Sequence, residues 1–218
     1  MDTTKNISSW KLFLFFSYGF IFCAIISYIL MFKTIDSKAT IETTPAIKQI
    51  NELVLIESAL KKLKPELDEI VLEEILTYTQ KYAKEYNLPL TLVLAIMNRE
   101  SGFNPLAISS KGAKGLMQIM VKVHEDKLKK LKINGYQAMH IGNNIQLGCM
   151  ILREYYNQTK EIKKALKKYV GGVQAGYYTD ILTWYVTINT MILEKENNGK
   201  GKETIEQQGI QQTGRTVQ

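Results

Sequence analysis

Apolar residues recur at every third or fourth position through most of the chain from residue 66 to residue 195. No stretch alternates apolar and polar residues as a half-buried strand would. The predicted helices are 66–87, 89–100, 143–157, 161–170 and 177–195. Loops are expected at 101–115 and 132–142, between these patterns. The spacing therefore predicts an all-α domain over 66–195, a compact bundle of short helices.

The strongest apolar signal lies near the N-terminus, where Leu12 to Phe32 carry no charge. At about 1.5 Å rise per residue, such a helix crosses a hydrocarbon core of about 30 Å. We interpret 12–32 as a single transmembrane anchor. The alternative is a cleaved signal peptide, because residues 37–39 read Ser-Lys-Ala, a small-x-small pattern. The apolar run is longer than the usual signal core of about 7 to 15 residues, which favours the anchor.

The remaining segments have less pronounced patterns. Residues 1–11 form a short tail, and 33–65 combine a linker with a stalk helix that ends before Pro65. Residues 196–218 are polar and are expected to be disordered. Positive charges are nearly balanced on the two sides of the anchor. We place the tail in the cytoplasm because the chemistry described below requires the helical domain to lie outside.

The formal net charge is +7, which favours polyanionic partners without choosing among them. No nucleic-acid motif accompanies the lysines, so no nucleic-acid partner is predicted. Cys23 and Cys149 cannot sensibly pair, and no Cys/His grouping has metal-ligand spacing. We therefore expect no metal and no other cofactor. His124 and His140, the only histidines, are interpreted as structural.

The predicted helix 89–100 ends on an acidic residue in an unusual position. Val93, Ile96 and Met97 share one face with Glu100, so the carboxyl terminates a stripe that should be buried. Burial and the negative end of the helix dipole would both raise the pKa of Glu100. A glutamic acid protonated near neutral pH suits general acid cleavage of a glycosidic bond. The alternative is a surface ion pair, although Arg99 lies about 100° around the helix from Glu100.

The surrounding residues make a recognisable motif. Residues 100–105 read Glu-Ser-Gly-Phe-Asn-Pro, Ser109 follows, and residues 112–120 read Gly-Ala-Lys-Gly-Leu-Met-Gln-Ile-Met. Downstream, 144–148 read Asn-Ile-Gln-Leu-Gly and 169–172 read Tyr-Val-Gly-Gly. In order and spacing these elements resemble the soluble lytic transglycosylase family, relatives of goose-type lysozymes. The resemblance extends from about residue 70 to about residue 185 and implies a lysozyme-like helical fold.

The resemblance also implies a reaction. Glu100 would protonate the oxygen between N-acetylmuramic acid and N-acetylglucosamine, then act as a base on the C6 hydroxyl to give a 1,6-anhydro product. No water is consumed, and one carboxylate suffices, whereas most hydrolysing glycosidases use two. No second carboxylate stands in an obvious partner motif; the nearest after Glu100 are Glu125 and Asp126.

Further roles follow from the same resemblance. Ser101 would orient Glu100, and Tyr169 would hydrogen-bond near the acid. The residues expected to bind the sugar chain are Gly115, Leu116, Met117, Gln118 and Gly172. One position departs from the family: Val170 stands where the family has Asn, so a side-chain hydrogen bond to an acetamido sugar is missing.

Five lysines lie on the predicted helix just before Tyr169, beside the proposed cleft. They are Lys160, Lys163, Lys164, Lys167 and Lys168. The cluster is either a solvated helix face or an attractor for the carboxylates of cell-wall peptides.

The sequence therefore predicts a membrane-anchored peptidoglycan lytic transglycosylase with its catalytic domain on the cell-wall side. Its expected partners are peptidoglycan glycan strands and the membrane, with a secretion, conjugation or phage assembly as a further class. Three alternatives stay open. They are a hydrolytic muramidase on the same fold, a non-catalytic murein-binding assembly protein, and a small lysis or scaffold factor whose function is its anchor.

Overall fold

The computed structural model describes the backbone of residues 45–213 and the side chains of residues 47–198 except residue 49. The chain divides into two compact units, 1–48 and 49–218. The predicted tail 1–11 and anchor 12–32 lie outside the described residues. Among the helices that are described, none combines the length and the apolar composition needed to cross a bilayer.

The described residues form seven α-helices and one short 3-10 helix. In chain order these are α1 (Pro45–Leu63), α2 (Glu69–Glu85), α3 (Leu90–Ser101), α4 (Glu125–Leu131), the 3-10 helix Gln137–Met139, α5 (Ile141–Thr159), α6 (Ile162–Tyr169) and α7 (Tyr177–Thr213). Between 45 and 213 the only extended pairing is a pair of isolated bridges at Lys114, to Ile108 and to Ile119. The prediction of an all-α domain is confirmed for this part of the chain.

Helix α3 is the central helix of the domain. Its residues from Val93 to Met97 are fully buried on every side, and it packs against α2 and α7. A helix that is apolar all round requires such a position, because no face can be left to water without cost. Helix α5 packs against α2 and α6 and closes the other side of the core. The burial of α3 carries its last turn, and Glu100 with it, to the edge of the packed interior.

Two local signals set the ends of the helices nearest the site. The Asp68 carboxylate accepts hydrogen bonds from the backbone N–H groups of Ile70 and Val71, which caps α2. Helix α3 ends at Gly102, which adopts a left-handed conformation with φ of 60° and donates its N–H to the Asn98 carbonyl. The helices predicted at 66–87 and 89–100 match α2 and α3 to within a few residues.

Three elements differ from the prediction. Helix α4 was not predicted, because a seven-residue helix with only Lys127 and Leu128 buried shows no repeating stripe. Helix α5 begins at Ile141, inside the loop expected at 132–142, which also holds the 3-10 helix. Helix α7 continues to Thr213, where 196–218 were expected to be disordered. Gly199, Gly201 and Gly209 lower the helix propensity of this segment, but extending a helix that packing has already nucleated avoids the cost of forming a new first turn.

Candidate active site

The Glu100 carboxyl lies half-buried in the last turn of α3. The Tyr177 hydroxyl, at the start of α7, donates a hydrogen bond to Glu100 Oε1. Burial raises the pKa of Glu100, and this effect outweighs the Tyr177 hydrogen bond and the Arg99 charge, which both lower it. The raised pKa expected from the apolar stripe is therefore found. Such a carboxyl keeps its proton at a higher pH than an ordinary glutamic acid and can deliver it as a general acid.

The neighbouring Arg99 is engaged elsewhere. Its Nε forms an ion pair with Asp180 Oδ2 at 3.0 Å, and its guanidinium carbon lies 5.4 Å from the centre of the Tyr177 ring. Within the described part of the chain Glu100 forms no ion pair, so the surface pair considered as an alternative is not observed. Arg99 instead stacks on the ring whose hydroxyl meets the acid, and this contact helps to fix the position of Tyr177.

Tyr177 was not predicted as a site residue. Its side chain is 4% exposed, and burial, followed by the charge of Glu100, raises the pKa of Tyr177. The hydroxyl therefore keeps its proton, and remains a donor, to a higher pH than that of an ordinary tyrosine. In the sequence Tyr177 is one more aromatic residue at core spacing, and only the packing of α7 against α3 reveals its contact with Glu100.

Ser101 and Tyr169 both bind the backbone of the loop that follows α3. The Ser101 hydroxyl donates to the Leu116 carbonyl at 2.8 Å, and the Tyr169 hydroxyl donates to the Met117 carbonyl at 2.8 Å. Neither side chain has a hydrogen bond to Glu100, although the charge of Glu100 contributes to the raised pKa of Tyr169 after the larger effect of burial. The two hydroxyls thus hold two consecutive residues of the loop, Leu116 and Met117.

Asn144 on α5 is the third residue that fixes this loop. It is fully buried. Its Oδ1 accepts the N–H of Met117 at 2.7 Å, and its Nδ2 donates to the carbonyls of Lys114 and Ala138 at 2.9 and 2.8 Å. A buried amide is tolerated when its hydrogen bonds are made, and here three of them connect two loops to one helix.

The residues predicted to bind the sugar chain lie in different environments. Leu116 and Met117 are fully buried. Gln118 is partly exposed, and its Nε2 donates to the carbonyls of Gly115 and Ala107 at 2.9 and 3.2 Å, which closes the loop on itself. Gly172 lies in the turn after α6 and lines a separate pocket. The structure therefore brings Gly115 to Gln118 together beside the acid and leaves Gly172 apart from them.

Gly115 is expected to be intolerant of a side chain. Its φ is 74°, and a Cβ there would lie 2.5 Å from the Nδ2 of Asn144. Gly112 is a matched control, because its φ is 83° but a Cβ would meet nothing within 4 Å. We expect Gly112→Ala to cost about 1–2 kcal/mol of backbone strain and Gly115→Ala about 1–3 kcal/mol more, from the clash. Urea unfolding of both variants measures the difference in the free energy of unfolding. Equal losses of stability would show that the Asn144 side chain moves aside at no cost.

The other candidate residues lie outside the site. Burial raises the pKa of the Cys149 thiol to about 12, so it is inert in the core. Burial also lowers the pKa of His124, whose ring packs near Tyr155 at 6.4 Å between centroids. His140 makes an edge contact with Tyr136 at 5.7 Å. In the described residues no three His, Cys, Asp or Glu side chains group as metal ligands would.

The fold and the site define a helical domain whose central helix ends on a half-buried, hydrogen-bonded glutamic acid beside a fixed loop. Residues 77–176 of the chain match the Transglycosylase SLT domain family. The resemblance to soluble lytic transglycosylases that the motif predicted is therefore confirmed for this segment. The match ends immediately before Tyr177.

Curated relatives carry related names. The chain is 34% identical over 83 residues to the soluble lytic murein transglycosylase of Escherichia coli, covering 36% of this chain and 13% of that protein. It is 30% identical over 132 residues to the membrane-bound lytic murein transglycosylase C of Yersinia enterocolitica, covering 58% and 34%. The chain thus spans about a third or less of the length of these relatives.

A solved structure, the 70 kDa soluble lytic transglycosylase of Escherichia coli, aligns with 27% identity and a TM-score of 0.39 over 56% of this chain and 21% of that one.

Proposed function

We propose that this protein is a peptidoglycan lytic transglycosylase. It cleaves the bond between N-acetylmuramic acid and N-acetylglucosamine with Glu100 as the acid, and it leaves a 1,6-anhydro end. The observation that carries the proposal is the half-buried Glu100 carboxyl, with its raised pKa and its hydrogen bond from Tyr177. The names of the relatives, lytic murein transglycosylases, support the same substrate. Residues 12–32 anchor the protein in the membrane, and residues 66–195 face the cell wall.

The chemistry requires one carboxyl that changes role. Protonated Glu100 donates its proton to the glycosidic oxygen, the bond from that oxygen to C1 of N-acetylmuramic acid breaks, and positive charge develops at C1. The resulting carboxylate then removes the proton from the C6 hydroxyl of the same sugar, whose oxygen bonds to C1. Between the two steps Glu100 is ionised, and the Tyr177 hydroxyl stabilises this ionised form by hydrogen bonding. Glu100 ends protonated, ready for another cycle.

A lyase is favoured over a hydrolase by the carboxylates around Glu100. Arg99 is the only charged residue among the groups that shift the pKa of Glu100 in the described structure. The Asp180 carboxylate forms an ion pair with Arg99, the neighbour of Glu100 in sequence. Asp126, one of the nearest in sequence, pairs with Lys127 at 3.0 Å on α4. An inverting or retaining hydrolase uses a second carboxyl flanking the scissile bond, whereas Asp180 and Asp126 are both engaged in ion pairs.

Tyr177→Phe is expected to slow cleavage about 10- to 100-fold, because the ionised Glu100 loses a charge-assisted hydrogen bond. The direction of the pH effect also follows. The Tyr177 hydrogen bond lowers the pKa of Glu100, so its removal raises that pKa further. Activity should then be lost at a higher pH in the variant than in the parent, and the alkaline limb of the pH–rate profile moves up.

Tyr185→Phe is the matched control for this change. Tyr185 is a partly buried tyrosine on the same helix, away from Glu100. Its variant should keep the parental rate and profile. An alkaline limb that moves down in Tyr177→Phe, or that moves equally in both variants, would contradict the assigned hydrogen bond.

Cleavage of peptidoglycan is tested by incubating the full chain, solubilised in detergent, with purified murein sacculi and separately with chitin. We expect soluble fragments from sacculi and none from chitin, because the proposed cut requires N-acetylmuramic acid.

Val170, whose side chain cannot hydrogen-bond an acetamido group, keeps a second candidate function open, a murein-binding protein without turnover. Sedimentation of the protein with sacculi, with no fragments released, would support that candidate instead.

A further inference from the structure

Helix α7 has an exposed apolar face in addition to the face that it packs into the core. Ile181 is buried, whereas Leu182, Val186 and Leu193 are 42%, 51% and 57% exposed. These three lie within about 40° of one another around the helix, because they are separated by four and seven residues. From 181 to 193 the helix has no charged residue, although 22% of the chain is charged. This outward face of α7 therefore has the composition of a covered surface rather than a solvated one.

A cavity of about 460 Å³ opens beside the outward face, between α7, α5, α6 and the start of α3. Leu182 lines it, together with three tyrosines and one arginine, namely Tyr156, Tyr178, Tyr185 and Arg153. Tyrosine and arginine are residue types in which interface hot spots are enriched. Neither Tyr177 nor the loop Gly115 to Gln118 contributes to the wall. The cavity meets α3 at Leu92, about 12 Å along the helix from Glu100, so it is separate from the candidate active site.

The cavity has a positive charge that no carboxylate in its wall balances. The Arg153 guanidinium donates hydrogen bonds to the carbonyls of Tyr86 and Asn87, which are neutral. It forms no ion pair within the described residues, and no Asp or Glu lines the cavity. An occupant that suits this wall brings an apolar side chain to the tyrosines and a carboxylate to the arginine. Helix α7 itself carries both groups three residues apart, Leu193 and Glu196, and both side chains are exposed.

We propose that two copies of this protein pair through the outward faces of their α7 helices, which run antiparallel in the pair. The contact is isologous, so each copy gives the other the same surface. In a pair centred between residues 187 and 188, Leu193 lies opposite Leu182 of the second copy. Because Leu182 lines the cavity, Leu193 of each copy is placed at the mouth of the other copy's cavity. The pairing therefore covers both the exposed apolar face and the cavity beside it.

The charges near the outward face are complementary in this arrangement. Glu196 and Tyr178 are separated by about five helical turns, so they lie on the same side of α7. In the antiparallel pair Glu196 is opposite Tyr178 of the second copy and supplies the carboxylate that the cavity with Arg153 lacks. The formal net charge of +7 opposes association of two copies, but salt at about 0.15 M screens charges farther apart than about 8 Å. The inference does not depend on the proposed function, because it uses neither Glu100 nor the loop beside it.

The oligomeric state of the full chain in detergent tests the inference. Sedimentation equilibrium should show a dimer for the parent, and Leu182→Asp/Val186→Asp should raise its dissociation constant about 30-fold or more. Ile70→Asp/Val123→Asp is the matched control, because these side chains are 76% and 63% exposed and lie away from α7. All four positions are exposed, so circular dichroism should show the parental helix content in both variants. A parent that is monomeric up to about 100 µM, or a dimer that both variants retain or lose alike, overturns the inference.

Cross-linking tests the register of the pair in a Cys23→Ser background, in which the remaining Cys149 is buried. Leu182→Cys protein mixed with Leu193→Cys protein should form a disulfide-linked dimer, because the antiparallel pair places these positions opposite each other. Neither protein should link to itself, since the two copies of one position are about 16 Å apart along the helices and a disulfide joins Cα atoms less than about 7 Å apart. Self-linkage of either protein shows a parallel pair and overturns the inference. If the chain is monomeric and a fluorophore on Leu193→Cys is quenched by brominated phospholipid, the face lies on the membrane surface, and the inference is overturned as well.

Discussion

Glu100→Gln is expected to lower the rate of fragment release from murein sacculi by about 10³-fold or more. The amide keeps the size of the side chain but cannot donate a proton to the glycosidic oxygen or accept one from the C6 hydroxyl. General acid and base steps contribute about 10²- to 10⁴-fold each, and one residue performs both here. The initial rate of soluble fragment release, measured at equal protein concentration, gives the ratio.

The fold should survive this substitution, which makes the loss of rate interpretable. The amide oxygen of Gln can still accept the Tyr177 hydroxyl, and no ion pair within the described residues is broken. The midpoint of thermal unfolding should therefore stay within a few degrees of the parent. Glu73→Gln, on an exposed position of α2, makes the same chemical change away from the site. Retention of more than about a tenth of the parental rate by Glu100→Gln would exclude it as the acid.

Asn144→Ala is expected to have the largest effect on stability, about 3–5 kcal/mol of the free energy of unfolding. The substitution leaves the buried Met117 N–H and the Ala138 carbonyl without their partner, and the Lys114 carbonyl keeps only the Ile119 N–H. Each unsatisfied group costs about 1–3 kcal/mol, less what water entering the cavity restores. Urea unfolding followed by circular dichroism measures the change.

The same variant should lose activity, because the loop beside Glu100 is no longer held by α5. Asn157→Ala is the matched control, an exposed asparagine on the same helix that should change stability by less than about 0.5 kcal/mol. A loss below about 1 kcal/mol for Asn144→Ala would mean that its three hydrogen bonds are replaced at no cost. The anchoring role of Asn144 would then be wrong.

The sequence was sufficient to predict α3 and the setting of Glu100. An apolar stripe that ends on a carboxyl predicts that the helix is buried and that the pKa of Glu100 is raised. Gly102, which follows, predicts the end of the helix. All three features are found in the structure. These features are local, because they depend on residues of one short helix and the glycine that ends it. Helices α2, α5 and α6 were predicted for the same reason.

What the sequence could not predict depends on contacts between distant segments. Tyr177 meets Glu100 only because α7 packs on α3, 77 residues away in sequence. The Ser101 hydroxyl binds the Leu116 carbonyl, a contact fixed by the path of the loop, and its role in orienting the acid stays a prediction. The partners of Asn144 are backbone groups, which carry no sequence signal at all.

The identity of the product tests the central claim most directly. Sacculi are digested with the full chain in water enriched in ¹⁸O, and the released fragments are examined by mass spectrometry. The proposed reaction consumes no water, so we expect anhydro ends, lighter than reducing ends by one water and free of ¹⁸O. Reducing ends that contain ¹⁸O would contradict the lytic mechanism, move the protein to the hydrolytic muramidases and require a second carboxyl near Glu100.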